Sequence, residues 1–268
     1  IEEEGIKIPP MPIVQNGQIN QMLLDSIAQH PQAPALFKER LLQAIEQLME
    51  KGVQFKALQS KLNLDWNKEF FKAYLQASTQ YFKNLIAEVS SGESSVEAKV
   101  EDGVLVKLQT TFQDEAIHFD FTGTKEASKI WLTPSATLGS CIAALFAWIE
   151  KPFSITQSCL DLILVTTPGG SLVNATYPKP LFYGMTDGVG LISTLALKSL
   201  AKIHSQDLPL SAVTQCCFSI HFDDGSHFYE TLNGGVGAKK DKRGIDGLNI
   251  WNRSQLHPSI EVCEKMYP

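Results

Sequence analysis

The chain has 268 residues, 44% of them hydrophobic, and a formal net charge of −6. That length holds one large domain or two small ones, and that apolar content supports a sizeable core. An acidic balance without a basic stretch argues against nucleic acid or an anionic membrane as the main partner, and no apolar run reaches the roughly 18 residues that span a bilayer.

From the amino end, residues 1–15 contain three prolines and read as extended, non-helical chain. Ile19, Met22, Leu23 and Ile27 then fall at helical spacing, and His30-Pro31 breaks that helix. A second helix places Phe37, Leu41, Ile45, Leu48 and Met49 on one face, with Gly52 as its expected end and a third short helix over 53–64. A longer helix is expected from about Trp66 to Val89. These helices either pack on one another or on a sheet, or protrude as a hairpin that grips a partner subunit.

Composition changes at Ser90–Ser95, a serine- and glycine-containing stretch read as a turn. It divides the chain into a helical part, 1–92, and a mixed sheet-and-helix part, 93–268. From Val96 the period becomes two: Val104, Val106, Leu108, Thr110 and Phe112 alternate with polar neighbours. Ile117, Phe119 and Phe121 alternate with His118 and Asp120, so an antiparallel hairpin is expected about Gln113-Asp114. Thr133-Pro134 starts a helix through hydroxyl cap and first-turn proline. Leu160 to Val165 reads as a buried strand, and Asp187 as the cap of a further helix. Phe218, Ile220 and Phe222 form a strand before an Asp223-Asp224-Gly225 turn and a second strand. The expected class is α+β.

Cys141, Cys159, Cys216, Cys217 and Cys263 are odd in number and lack CxxC spacing. They read as core thiols of a reducing compartment, which predicts a cytoplasmic protein without a zinc site or disulfide framework. The opening at Ile1, in acidic residues, is unlike a secretory leader and reads as the middle of a longer protein.

Two carboxylates draw chemical interest. Asp120 ends its strand and precedes Thr122 and Gly123. Such a group either serves as a general base or water holder, or accepts backbone N–H bonds and caps the turn. His118, on the same strand face, reads as a solvated strand histidine. Glu230 precedes a loop with glycines at 234, 235 and 237, where backbone can approach another surface closely; the alternative is a hairpin with a solvated acid. Lys239, Lys240, Lys242 and Arg243 follow. Gly169-Gly170-Ser171 has no following lysine, so it is not a Walker loop, and the tail glycines lack the GxGxxG pattern. HxxxH and GxSxG motifs are absent. The residues alone therefore compose no complete catalytic set.

Several stretches, in order, resemble the hydantoinase B/oxoprolinase family. They are Glu4-Gly5-Ile6-Lys7-Ile8-Pro9-Pro10, Asp120-Phe121-Thr122-Gly123-Thr124, Thr167 to Asn174, Tyr229 to Ala238 with Asp246-Gly247 and Asn252, and Glu261 to Pro268. The resemblance implies a subunit that works with a hydantoinase A-type ATPase subunit. Together they use ATP to activate a cyclic amide of the 5-oxoproline or hydantoin type for hydrolysis, or a ketone for carboxylation. It makes Asp120 and Glu230 the catalytic candidates. Thr122, Gly123, Gly234, Gly235, Gly237 and Asn252 become substrate or loop positions. It further implies an oligomer, with ATP on the partner and a divalent metal held by histidines and aspartates upstream of the Glu4-Gly5 element, not by this chain. Departures stand beside it. An asparagine expected near Trp131-Leu132 is absent, and Gln157-Ser158-Cys159 replaces an Asn-x-Gly. Met185-Thr186-Asp187 replaces an Asn-x-x-Thr, and Asn249-Ile250-Trp251 a histidine-containing stretch. A carboxylase subunit and a non-catalytic module that docks a partner are the alternatives.

Overall fold

A computed structural model describes residues 8, 10–31, 33, 36–63, 65–88, 92–100, 103–126, 129–149, 155–204, 216–223, 227–232, 235–238 and 243–246. The chain divides into two compact units, 1–75 and 76–268.

The first unit opens with a two-residue hairpin, β1 (Val14–Gln15) and β2 (Gln18–Ile19), turned by Asn16 and Gly17 at positive φ. Asn-Gly is the residue pair such a turn selects. The expected first helix therefore starts later, as α1 (Gln21–Ala28), with the Asn20 side chain accepting from the Leu23 N–H at 3.1 Å. Helix α2 runs unbroken through Phe37–Lys61, and Gly52 does not end it. An exposed interior glycine costs a helix only about 1 kcal/mol, which 24 better helix formers outweigh. Helix α1 packs on α2, and Lys38 pairs with Asp25. Helix α3 (Lys68–Ala87) begins here with Phe70, Phe71 and Tyr74 exposed, while Phe55 meets Trp66 at 4.3 Å between ring centres.

The second unit is built on a four-stranded sheet of order β3-β4-β5-β6. The strands are β3 (Gly92–Lys99), β4 (Leu105–Gln113), β5 (Ala116–Asp120) and β6 (Ile163–Thr166). The first three form an antiparallel meander, and β6 joins β5 in parallel. Ser94 and Ser95, expected in a turn, are strand residues. Alternation of exposure begins at Gly92, where the small residues pair with the far end of β4. Asp114 and Glu115 turn the β4–β5 hairpin at positive φ.

Between β5 and β6 lie α4 (Pro134–Ile149) and the short α5 (Gln157–Leu160). Thr133 caps α4 through its hydroxyl, which accepts from the Ala136 N–H at 3.2 Å. After β6, a π-helical turn (Gly184–Gly188) leads into α6 (Val189–His204). Asp187 lies inside that turn instead of capping α6. The strand face bearing Val106, Leu108, Phe112, Ile117 and Phe119 packs with α4, α6 and the carboxyl-terminal half of α3 into one core. The opposite face carries Lys107, Gln109, His118, Asp120 and Thr166, each at least partly exposed. Two further small sheets follow: β7 (Cys216–His221) with β8 (His227–Leu232), and β9 (Gly235–Val236) with β10 (Ile245–Asp246). The architecture is α+β, helices first and a helix-covered sheet after.

Candidate functional site

The parallel pair β5–β6 ends in two of the stretches singled out above. Asp120 lies opposite Thr166 at the carboxyl ends of the two strands. Asp120-Phe121-Thr122-Gly123-Thr124 leaves one strand, and Thr167 to Asn174 leaves the other. Crevices at the carboxyl ends of parallel strands are where open α/β sheets receive ligands.

Each stretch is held by its own side chains. Asp120 Oδ1 accepts from the Thr122 N–H at 2.8 Å and from the Thr122 hydroxyl at 2.6 Å. One carboxylate oxygen is thus committed to the turn, and Oδ2 has no partner among the described residues. Gly123 completes the turn at φ +90°, which an L side chain rarely adopts, and a Cβ there would stand 3.2 Å from Lys107 Cδ. The Lys107 stem therefore lies along this turn. The buried Thr124 hydroxyl accepts from the Lys107 N–H and donates to the Lys107 carbonyl, both at 3.1 Å, tying the turn to β4. Beside it, His118 Nε2 is 2.7 Å from the Thr166 hydroxyl.

The second stretch folds back on itself. Ser171 donates its hydroxyl to the Pro168 carbonyl at 2.7 Å, and Asn174 donates its amide to the Thr167 carbonyl at 3.0 Å. Gly170 has φ +71°. Leu172 then links the strand ends to the helix start: its N–H donates to the Lys125 carbonyl, and its carbonyl accepts from the Leu132 N–H. Thr137 of α4 donates to the Val173 carbonyl at 2.9 Å.

That closure assembles a group which spacing in the sequence does not disclose. Lys179 pairs with Glu126 at 2.6 Å and stands 4.2 Å above the ring centre of Trp131. Trp131 is 1% exposed, and its indole N–H has no partner among the described residues. The π-helical turn packs on the same segment, since a Cβ on Gly184 would lie 1.8 Å from the Trp131 carbonyl oxygen. Where the resemblance expects an asparagine, the chain places a buried indole under a lysine. The two glycines of the turn were the available signal: a π-helical insertion often marks a functional position, and Gly184 permits the contact.

The tail candidates occupy other sheets. Glu230 lies on β8 opposite Phe218 of β7. Gly235 lies on β9 opposite Asp246, and Gly237 follows that strand, exposed. Gly234 and Asn252 lie outside the described residues, as do Glu4 to Lys7, Asp224-Gly225, Gly247 and Glu261 to Pro268.

Two buried thiols behave oppositely. Burial pushes the Cys141 thiol far above its ordinary range. Cys159 sits below it: burial raises its pKa, but hydrogen bonds from Ser78 and Thr156 together outweigh that. For a divalent metal, no group of three or more His, Cys, Asp or Glu side chains comes together among the described residues. No step can therefore be derived through a metal from these residues.

A sequence profile of the family described as Hydantoinase B/oxoprolinase matches residues 1–268. An uncharacterized protein of Methanocaldococcus jannaschii is 25% identical over 283 residues, covering 99% of this chain and 48% of that protein. The 5-oxoprolinase of Dictyostelium discoideum is 25% identical over 175 residues, covering 63% of this chain and 13% of that enzyme. Among solved structures, an ATP-dependent caprolactamase from Pseudomonas jessenii superposes with a TM-score of 0.79 at 19% identity. It covers 99% of this chain and 49% of that one. A nucleotide-free acetone carboxylase gives 0.70 at 12% identity, over 98% of this chain and 39% of that one. These structural likenesses establish the fold. The chain spans about half the length, or less, of the relatives it matches.

Proposed function

Because the chain belongs to the hydantoinase B/oxoprolinase family, we propose that it forms part of a subunit that hydrolyses a cyclic amide at the expense of ATP, together with a hydantoinase A-type ATPase subunit. The observation that carries this reading is the pairing of the Asp120–Thr124 turn with the Thr167–Asn174 loop at the carboxyl ends of β5 and β6. Ring opening of an unstrained lactam is unfavourable. Transfer of the γ-phosphoryl group of ATP to the amide oxygen, with ADP leaving and the amide proton lost, gives an imidate phosphate. Water adds to its carbon, the C–N bond breaks with the nitrogen leaving as the amine, and the resulting acyl phosphate is cleaved by water to carboxylate and phosphate. In that scheme Asp120 Oδ2 accepts a proton or orders the water, while Oδ1 keeps the turn in place. Glu230 is the second carboxylate of the scheme. Any divalent metal of the assembly would be held outside the described residues of this chain, and no step is routed through it.

The test uses the chain within its full subunit and with the ATPase subunit. 5-Oxoproline, hydantoin and caprolactam are offered, and ring opening and phosphate release are both followed. Stoichiometric ring opening and ATP cleavage are expected for at least one lactam. ATP cleavage with incorporation of bicarbonate into acetone, and no ring opening, would move the protein to the carboxylase branch, which the likeness to acetone carboxylase favours. A folded assembly that does neither would sink both and leave a docking module.

A further inference from the structure

The sheet face that bears Asp120 also carries a cation that holds nothing in the fold. Lys107 of β4 is exposed, and its ammonium has no ion pair or hydrogen bond among the described residues. An acid lies in register with it: Glu97 of β3 is directly opposite Lys107, a position from which opposite charges can pair. That pair does not form. The lysine stem turns the other way, onto the Asp120–Thr124 turn, where its Cδ stands 3.2 Å from the point that a Cβ on Gly123 would occupy. A side chain at 123 would crowd that stem, so the glycine makes room for the lysine as well as supplying the positive φ of the turn. The backbone of Lys107 is fixed to the same turn by the Thr124 hydroxyl, which bonds both its N–H and its carbonyl.

Asp120 completes the arrangement. Gln109 lies opposite Asp120, which makes Lys107 the diagonal neighbour of Asp120 on one sheet face, at a spacing that long side chains can bridge. The two form no ion pair. Thr122 holds Oδ1, and Oδ2 has no partner among the described residues. The turn thus presents an unused ammonium and an unused carboxylate oxygen on the same face. A ligand that satisfies both brings an oxyanion to the lysine and an N–H or O–H to Oδ2. A plain lactam brings only the N–H. A lactam with a carboxylate beside its N–H brings both, and so does a transferred phosphoryl group with the attacking water next to it. We infer that Lys107 is an oxyanion-binding residue of this site, pairing with a carboxylate or phosphoryl group of the ligand while Asp120 Oδ2 accepts the neighbouring N–H or O–H. The inference rests on the reading above, in that it takes the crevice beyond β5 and β6 as the ligand site.

Lys107→Met tests it, because methionine keeps a stem to lie on Gly123 and removes the charge. Lys99→Met, at the end of β3 on the same sheet face, is the control. The full subunit without nucleotide is titrated with 5-oxoproline, with 2-pyrrolidone (the same ring without the carboxylate) and with inorganic phosphate. If the carboxylate is the anion, 5-oxoproline binds about tenfold tighter than 2-pyrrolidone or better, and Lys107→Met erases the difference. If the phosphoryl group is the anion, the two lactams bind alike, and Lys107→Met weakens phosphate by about tenfold. Lys107→Arg, which keeps the charge, should retain most of either effect, and all three variants should melt with the wild type. A Lys107→Met subunit that binds 5-oxoproline and phosphate just as Lys99→Met does would overturn the inference. The same variants in the assembly with the ATPase subunit separate it from the proposed reaction. Lactam opening and anion binding both indifferent to Lys107→Met would sink the inference and leave the reaction standing. Anion binding that depends on Lys107, in an assembly that opens no lactam, would do the reverse.

Discussion

At Asp120 the observed turn bond and the proposed catalytic role fall on one carboxylate, and the two oxygens separate them. Thr122 donates twice to Oδ1. An Asp120→Asn side chain keeps that acceptor and loses only the charge, whereas Asp120→Ala removes the turn bond as well, at about 1 kcal/mol. Asp120→Asn is therefore expected to leave the melting temperature within a degree or two and lower turnover of the assembly by about a hundredfold or more. Asp120→Ala should lower both. Equal turnover for wild type and Asp120→Asn would assign the residue to the turn alone, and His118→Asn is the control expected to have little effect. Glycines differ in the same way. Gly184→Ala drives a methyl into the Trp131 carbonyl and is expected to destabilise by about 3 kcal/mol or more. Gly139, in the exposed interior of α4 with nothing within 4 Å, should tolerate alanine and gain up to about 1 kcal/mol. Denaturant melts of the two variants give the comparison, and a neutral Gly184→Ala would show that the π-helical turn can move away.

Between elements, the sheet and α6 share a buried polar chain. Thr110, on the core face of β4, accepts from the Ser199 hydroxyl at 2.7 Å, and the Ser94 hydroxyl of β3 donates to the Ser199 carbonyl at 2.8 Å. These bonds satisfy oxygens that apolar neighbours otherwise leave dry. Ser199→Ala is expected to cost about 1–2 kcal/mol, and the double change Thr110→Val with Ser199→Ala less than the sum of the two single changes. Strict additivity in equilibrium unfolding would mean the hydroxyls do not act as a pair. The expected break of α2 at Gly52 failed at this same scale. A glycine weakens a helix without ending it, and the next true stop comes only after Lys61.

For the molecule as a whole, the buried Cys141 sets a direction for stability against pH. Its thiol stays protonated in the folded chain well above 9.0, where an exposed thiol ionises. The folded-state pKa is the raised one. Its contribution is therefore complete below about pH 9 and is lost as pH rises beyond it. Stability should fall on the alkaline side of pH 9, and Cys141→Ala should flatten part of that slope. An unchanged slope would place the alkaline loss on other groups. The relatives add the other whole-molecule fact: this chain corresponds to about half of the caprolactamase chain. The proposed reaction is accordingly assigned to an assembly and tested there.

Amphipathic period and capping chemistry are local, so the sequence by itself determined the helical first third, the β4–β5 hairpin and the start of α4 at Thr133-Pro134. It also determined the family, because the Asp120–Thr124 and Thr167–Asn174 stretches are carried by residue identity. It could not decide how Asp120 divides its two oxygens, because that depends on the turn closing onto Thr122. Nor could it bring Lys179 to Glu126 and Trp131, residues 53 and 48 positions away. That meeting exists because the backbone of Leu172 hydrogen-bonds both Lys125 and Leu132, and because Gly184 lets a π-helical turn rest on the Trp131 carbonyl. Contacts between segments far apart in the chain follow from the packing of α4 and α6 on one sheet face, which no window of neighbouring residues contains.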